Sequence, residues 1–144
     1  MLLATTVLVA CDAPIEAIYP ETASASLFVR SYEQGHEEIT EVAALSPAQI
    51  GRLRGALPAQ APELITAACF VPHHFFRMYD GKGKMIGEIA VYFCCLGIRA
   101  KPSLPLPLPI GKELGADYKA LAALARELGS TPKVNCESDE AVGL

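Results

Sequence analysis

Apolar and polar positions alternate most clearly over Ser26–Tyr32, where Leu27, Val29 and Ser31 fall on one side and Phe28, Arg30 and Tyr32 on the other. Period-two alternation of this kind predicts a strand. Glu33-Gln34-Gly35-His36 reads as a turn, and Glu37 to Ala43 can return as the partner strand. A shorter strand is expected at Ile15 to Tyr19, ahead of Pro20. The period then changes. Ser46-Pro47-Ala48-Gln49 carries a capping residue, a proline suited to the first helical position and a Gln three residues on; this is a helix start. Ile50, Leu53 and Leu57 follow on one face, Arg52 and Arg54 point outward, and Pro58 and Pro62 stop the helix. A second helix is predicted over Asp117 to Leu128, with Tyr118, Leu121, Ala122, Leu124, Ala125 and Leu128 as its apolar stripe and Gly129 placed to end it.

The stretch from Cys69 to Ala100 organises the rest. Phe70, Val71, Phe75, Phe76 and Tyr79 precede a glycine-rich break, and Ile86, Ile89, Val91, Tyr92 and Phe93 follow it. Such residues prefer strands, and Asp80-Gly81-Lys82-Gly83-Lys84 supplies the glycines that a tight turn requires, so the stretch reads as a β-hairpin. A three-residue loop, Gly81 to Gly83, sets Asp80 across from Lys84 and, carried outward, Cys69 across from Cys95. A two-residue loop would set Cys95 across from Phe70 instead. The first register predicts a cross-strand Cys69–Cys95 disulfide. A shifted register with a twist at Pro72 would pair Cys69 with Cys94. Cys94 is otherwise a buried thiol or the partner of Cys136.

The same residues resemble a group of small exported bacterial proteins without assigned function. The shared pattern is a Cys-(Phe/Tyr)-x-Pro-(His/Arg)-(His/Asn) run, an apolar strand ending in Asp, then Gly-Lys and a closing Cys-Phe-x-Cys. It is matched here by Cys69, Phe70, Pro72, His73, His74, Asp80, Gly83, Lys84, Phe93 and Cys95. Tyr92 stands where that pattern has its first closing cysteine, and Cys94 fills a variable position. The resemblance covers the hairpin and, loosely, its flanks, and it implies export without implying an activity.

Export is also what the first residues suggest. Leu2 to Ala10 is apolar and uncharged, and Leu8-Val9-Ala10-Cys11 resembles the lipobox of bacterial lipoproteins, in which cleavage before the cysteine leaves a lipid-bearing N-terminus. No Lys or Arg precedes the apolar run, as a start codon lying upstream of Met1 would explain; the competing expectation is a buried first strand over Leu2 to Val9. The chain has 5 cysteines; with Cys11 lipidated an even number is left, as suits an oxidising compartment. The expected arrangement is a signal segment over 1–10 and one domain over 11–144, anchored to a membrane through lipid, on the periplasmic side in a Gram-negative cell. The 144 residues can bury a core of their own. The expected fold is α+β, an antiparallel sheet of four or five strands with two helices packed on one face. Alternating prolines over 101–110 predict an extended strap that cannot be a central strand.

Composition removes several chemistries. Net charge is −4 and no basic stripe is present, so nucleic acid is not an expected partner. No phosphate loop, dinucleotide fingerprint or Gly-x-Ser-x-Gly elbow occurs, and no catalytic residue or cofactor is assigned. His36 among Glu33, Glu37 and Glu38 reads as a solvated acidic turn. Cys69, His73, His74, Cys94 and Cys95 form the one ligand-like set, and they carry the alternative reading of a metal-binding or thiol-redox protein. In a regular strand Cys69 and His73 would stand about 13 Å apart, too far for one tetrahedral zinc or for a nucleophile–base pair. The main expectation is therefore a non-enzymatic binding or structural module with structural cysteines.

Overall fold

The structure, a computed structural model, describes residues 18–60, 71–102 and 113–133. Along the chain run β1 (Ser24–Glu33), β2 (His36–Ala44), α1 (Pro47–Gly55), β3 (Ala59–Gln60), β4 (His74–Tyr79), β5 (Met85–Tyr92), β6 (Gly97–Lys101), β7 (Glu113–Leu114) and α2 (Tyr118–Glu127). Five strands form an antiparallel sheet in the order β2-β1-β4-β5-β6, and β3 pairs with β7 in a separate two-stranded ladder. The α+β class, the five-stranded antiparallel sheet and the two helices agree with the sequence expectation.

Each connection has a local cause. β1 and β2 are joined by Gln34 and Gly35, with φ of 50° and 81°. Two successive left-handed residues make the tight turn whose twist suits a hairpin. Between Leu27 and Phe28 the pairing slips, leaving Val42 as an extra residue on β2. Ser46 caps α1 as expected: its Oγ accepts from Gln49 N at 3.2 Å, and Gln49 Oε1 accepts from Ser46 N at 2.8 Å. Asp117 caps α2, accepting from Ala120 N at 3.0 Å, and Gly129 follows that helix at φ 99°. Gly115 N donates to Pro58 O at 2.7 Å and Asp117 N to Ala56 O at 2.9 Å. These two bonds seat the start of α2 beside the end of α1.

The core lies between the helices and one sheet face. Leu27, Phe76, Ile89 and Val91 from the sheet meet Ile50 and Leu53 of α1, Leu57 beyond it, and Leu121, Leu124, Ala125 and Leu128 of α2 or its cap. At about 25 cal/mol per Å² of apolar surface, each such side chain stabilises the fold by about 1.5–3 kcal/mol relative to an exposed one. Outside this core Arg52 reaches Glu127 at 2.6 Å and ties the helices together across their exposed sides.

The structure corrects three details. The Asp80–Lys84 loop has the expected length: Asp80 N donates to Lys84 O at 2.9 Å, and Asp80 Oδ1 accepts from Lys82 N and Lys84 N, both at 2.9 Å. The register nevertheless shifts between Met78 and Tyr79, because β5 carries Ile86 as an extra residue. The frame that set Cys95 across from Cys69 therefore does not extend past this bulge. Second, β5 ends at Tyr92, and Phe93–Leu96 turns the chain into β6, with Leu96 at φ 51°. Cys94 and Cys95 thus sit in a turn, not on opposite faces of a strand, and the stretch is a three-stranded meander rather than a single hairpin. Third, Ile18 and Tyr19 lie in a bend, with Tyr19 at φ 46°. Arg54, expected in solvent, instead donates to Ile18 O at 3.2 Å and Tyr19 O at 2.9 Å. The remaining part of the expected first strand, the signal segment, the proline strap beyond Pro102, Cys11, Cys69 and Cys136 lie outside the described residues.

Candidate functional site

The ligand-like residues that the structure describes gather near one end of the sheet, where β4 begins and β5 turns into β6. His74 opens β4 across from Val29 of β1 and Val91 of β5. Both neighbours face the core, and so does His74, which is 7% exposed. Its Nε2 lies 2.7 Å from Ser130 Oγ, just past α2, and its ring meets the edge of Phe93 at 4.9 Å between centroids. Burial among these groups, reinforced by the charge of His73, lowers the His74 pKa from 6.5 to about 4. The imidazole is neutral at pH 7.

His73, the residue before, is exposed and meets Tyr32 at 6.2 Å between ring centroids. The two histidines thus have separate surroundings, one against the core and the other against the β1–β2 hairpin. Cys94 and Cys95 are half-buried in the turn and are disulfide-bonded, so Cys94 is not the buried thiol that the sequence allowed. Among the described residues no group of three His, Cys, Asp or Glu side chains is arranged to hold a metal ion.

A serine hydroxyl at 2.7 Å from a neutral imidazole is the first element of a nucleophile–base pair. The rest of such a site is missing among the described residues. No carboxylate bonds the other ring nitrogen, and the nearby amides of Gly129 and Ser130 donate to Arg126 O and Ala125 O. Between two elements the contact works as a clasp. It ties the end of α2 to the first residue of β4.

Sequence reasoning missed two features. On the sheet face away from the helices, Arg77 lies over the Phe28 ring at 4.4 Å and near Phe75 at 6.0 Å, while Arg30 lies over Phe75 at 5.2 Å. Arg77 Nε also meets Glu88 Oε2 at 2.8 Å, and Arg30 Nε approaches Glu37 Oε1 at 3.1 Å. Two-residue spacing of Phe28 with Arg30 and of Phe75 with Arg77 is the signal that predicts this stacking. The second feature is Tyr19, whose ring covers Gly87 and whose hydroxyl donates to Lys101 O at 2.9 Å. Burial raises its pKa to about 12, so the phenol remains a donor at any ordinary pH.

No family, curated protein or solved structure matches the chain. Among the described residues no helix is long and apolar enough to cross a membrane.

Proposed function

We propose that this chain is a lipid-anchored domain of the bacterial cell envelope, of the kind its hairpin and lipobox motifs resemble, acting as a non-enzymatic binding or structural module. The observation that carries the reading is Leu8-Val9-Ala10-Cys11, which offers a thiol for lipid beside a small residue suited to cleavage. Two disulfide-bonded cysteines, Cys94 and Cys95, support an oxidising compartment. In this reading Cys69 pairs with Cys95 presented by the Phe93–Leu96 turn, not across a regular ladder. Their closed loop contributes about 3 kcal/mol in the chain-entropy account. The acyl chain supplies the membrane contact, at about 0.8 kcal/mol per buried methylene, and more than one chain is needed for stable anchoring.

The test is processing of the chain in a bacterial host. Mature protein should begin at Cys11, carry an acyl mass increment and partition into detergent, and Cys11→Ser should stop both processing and partition. Soluble protein with Met1 intact and no added mass would overturn the reading.

A further inference from the structure

We propose that β2 is a docking edge for an extended basic segment of another protein, which adds to the sheet as a sixth strand. The inference deepens the binding-module reading by giving the chemistry of the partner.

Among the described residues β2 is an edge strand of nine residues, paired on one side only, and most of its residues are exposed. The two-residue turn at Gln34–Gly35 makes Glu33 and His36 the hydrogen-bonded closing pair. In an antiparallel ladder the bonded and non-bonded pairs then alternate. Ser31–Glu38 and Val29–Thr40 are bonded, whereas Tyr32–Glu37, Arg30–Ile39 and Phe28–Glu41 are not. β1 supplies a check: Arg30, non-bonded toward β2, donates its N–H the other way, to His73 O at 2.8 Å. On β2 itself, Glu37, Ile39 and Glu41 consequently direct their backbone N–H and C=O groups away from the sheet. That is the row of donors and acceptors on which a strand can add.

Side chains then set the sequence such a strand must have. Glu37, Ile39 and Glu41 share one face, since their partners Tyr32, Arg30 and Phe28 alternate on β1. A segment reading basic-x-apolar-x-basic would set its charges opposite Glu37 and Glu41 and its apolar residue opposite Ile39. Opposite charges across strands attract, and like charges repel. Glu37 already meets Arg30 at 3.1 Å, whereas Glu38 and Glu41 have no ion-pair partner among the described residues. The extra residue Val42 ends the regular edge just beyond Glu41.

Charged edges commonly serve to block association, and a second copy of this chain is the rival occupant. Pairing two β2 strands about Ile39 sets Glu37 against the copy's Glu41 twice. One sign of charge along the edge thus repels the chain's own copies and selects a basic partner.

The experiment titrates the full, isotope-labelled chain with a blocked peptide, Thr-Thr-Lys-Thr-Val-Thr-Lys-Thr-Thr, and with its Glu-for-Lys counterpart. The basic peptide should shift the amides of Glu37, Ile39 and Glu41 and slow their hydrogen exchange, more weakly as salt rises; the acidic peptide should do neither. Reversal of charge in Glu37→Lys/Glu38→Lys/Glu41→Lys should weaken the basic peptide about tenfold or more. Ile39→Pro removes one outward donor that makes no hydrogen bond to β1, and it should also weaken binding. Either of two results would sink the proposal: no shift at about 1 mM basic peptide, or binding that leaves these three amides unprotected. Concentration-dependent dimerisation abolished by Ile39→Pro would assign the edge to a second copy instead. Lipid attachment is read at Cys11 by mass, so the two readings can fail independently.

Discussion

Acidification should loosen this fold through one residue, His74. In the folded chain its pKa is lowered from 6.5 to about 4, first by burial and then by the charge of His73. In the unfolded chain the ring regains its ordinary value. Between pH 6.5 and pH 4 the unfolded state therefore binds more protons than the folded one, and stability falls as the pH falls. The contribution is fully present above 6.5 and fully lost below 4. At 1.36 kcal/mol per pKa unit, the loss is at most about 3.4 kcal/mol, before the charged ring relaxes toward water. The assay is the urea midpoint measured from pH 7.5 to pH 4 for the native chain and for His74→Gln, which keeps a neutral hydrogen-bonding group facing Ser130. Carboxylates titrate in both proteins, so the difference between the two curves isolates the imidazole. His74→Gln should lose less stability than the native chain across this window. Parallel curves would refute the reasoning and would mean that His74 takes up its proton without leaving its clasp.

Three further outcomes follow from the packing. Ser46→Ala should lower stability by about 1 kcal/mol, because Gln49 N loses its acceptor; an unchanged denaturation midpoint would count against the cap. Gly87→Ala would drive a methyl group into the Tyr19 ring and should cost about 1–3 kcal/mol as overpacking, with Tyr19→Ala restoring part of the loss in the double variant. Non-reducing peptide mapping of protein taken from the envelope should recover a Cys69–Cys95 linked pair; a Cys69–Cys94 peptide or a free Cys69 thiol would exclude that pairing.

The fold was largely legible because its signals are local. Alternation over Ser26–Tyr32, the capping box at Ser46 and the apolar stripe of Leu121, Leu124, Ala125 and Leu128 each report on their own element. What escaped prediction depends on contacts between distant residues. The bulge at Ile86 lies beside Gly87, which is bare because the Tyr19 ring, far away in sequence, packs against it. β6 was hidden for another reason: Gly97–Lys101 is short and only partly buried, so its alternation is too brief to separate from the strand before it.

The candidate site was legible in its residues but not in its geometry, and the turn at Phe93–Leu96 explains the difference. On a continuous strand Cys94 and Cys95 would point to opposite faces, and at most one could serve any given site. In a turn both belong to the same end of the sheet, where Phe93 also packs against His74. The turn thus weakens the strand argument against bringing these cysteines together. It does not strengthen the metal reading through the Nε2 of His74, which faces Ser130 from a buried position. Recruiting that nitrogen as a ligand would break the clasp to α2 and cost the half-buried Ser130 hydroxyl a hydrogen bond worth about 0.5–1.5 kcal/mol. A ligand set using Nε2 of His74 must therefore be accompanied by movement of the end of α2. Structural cysteines beside a structural histidine require no such movement.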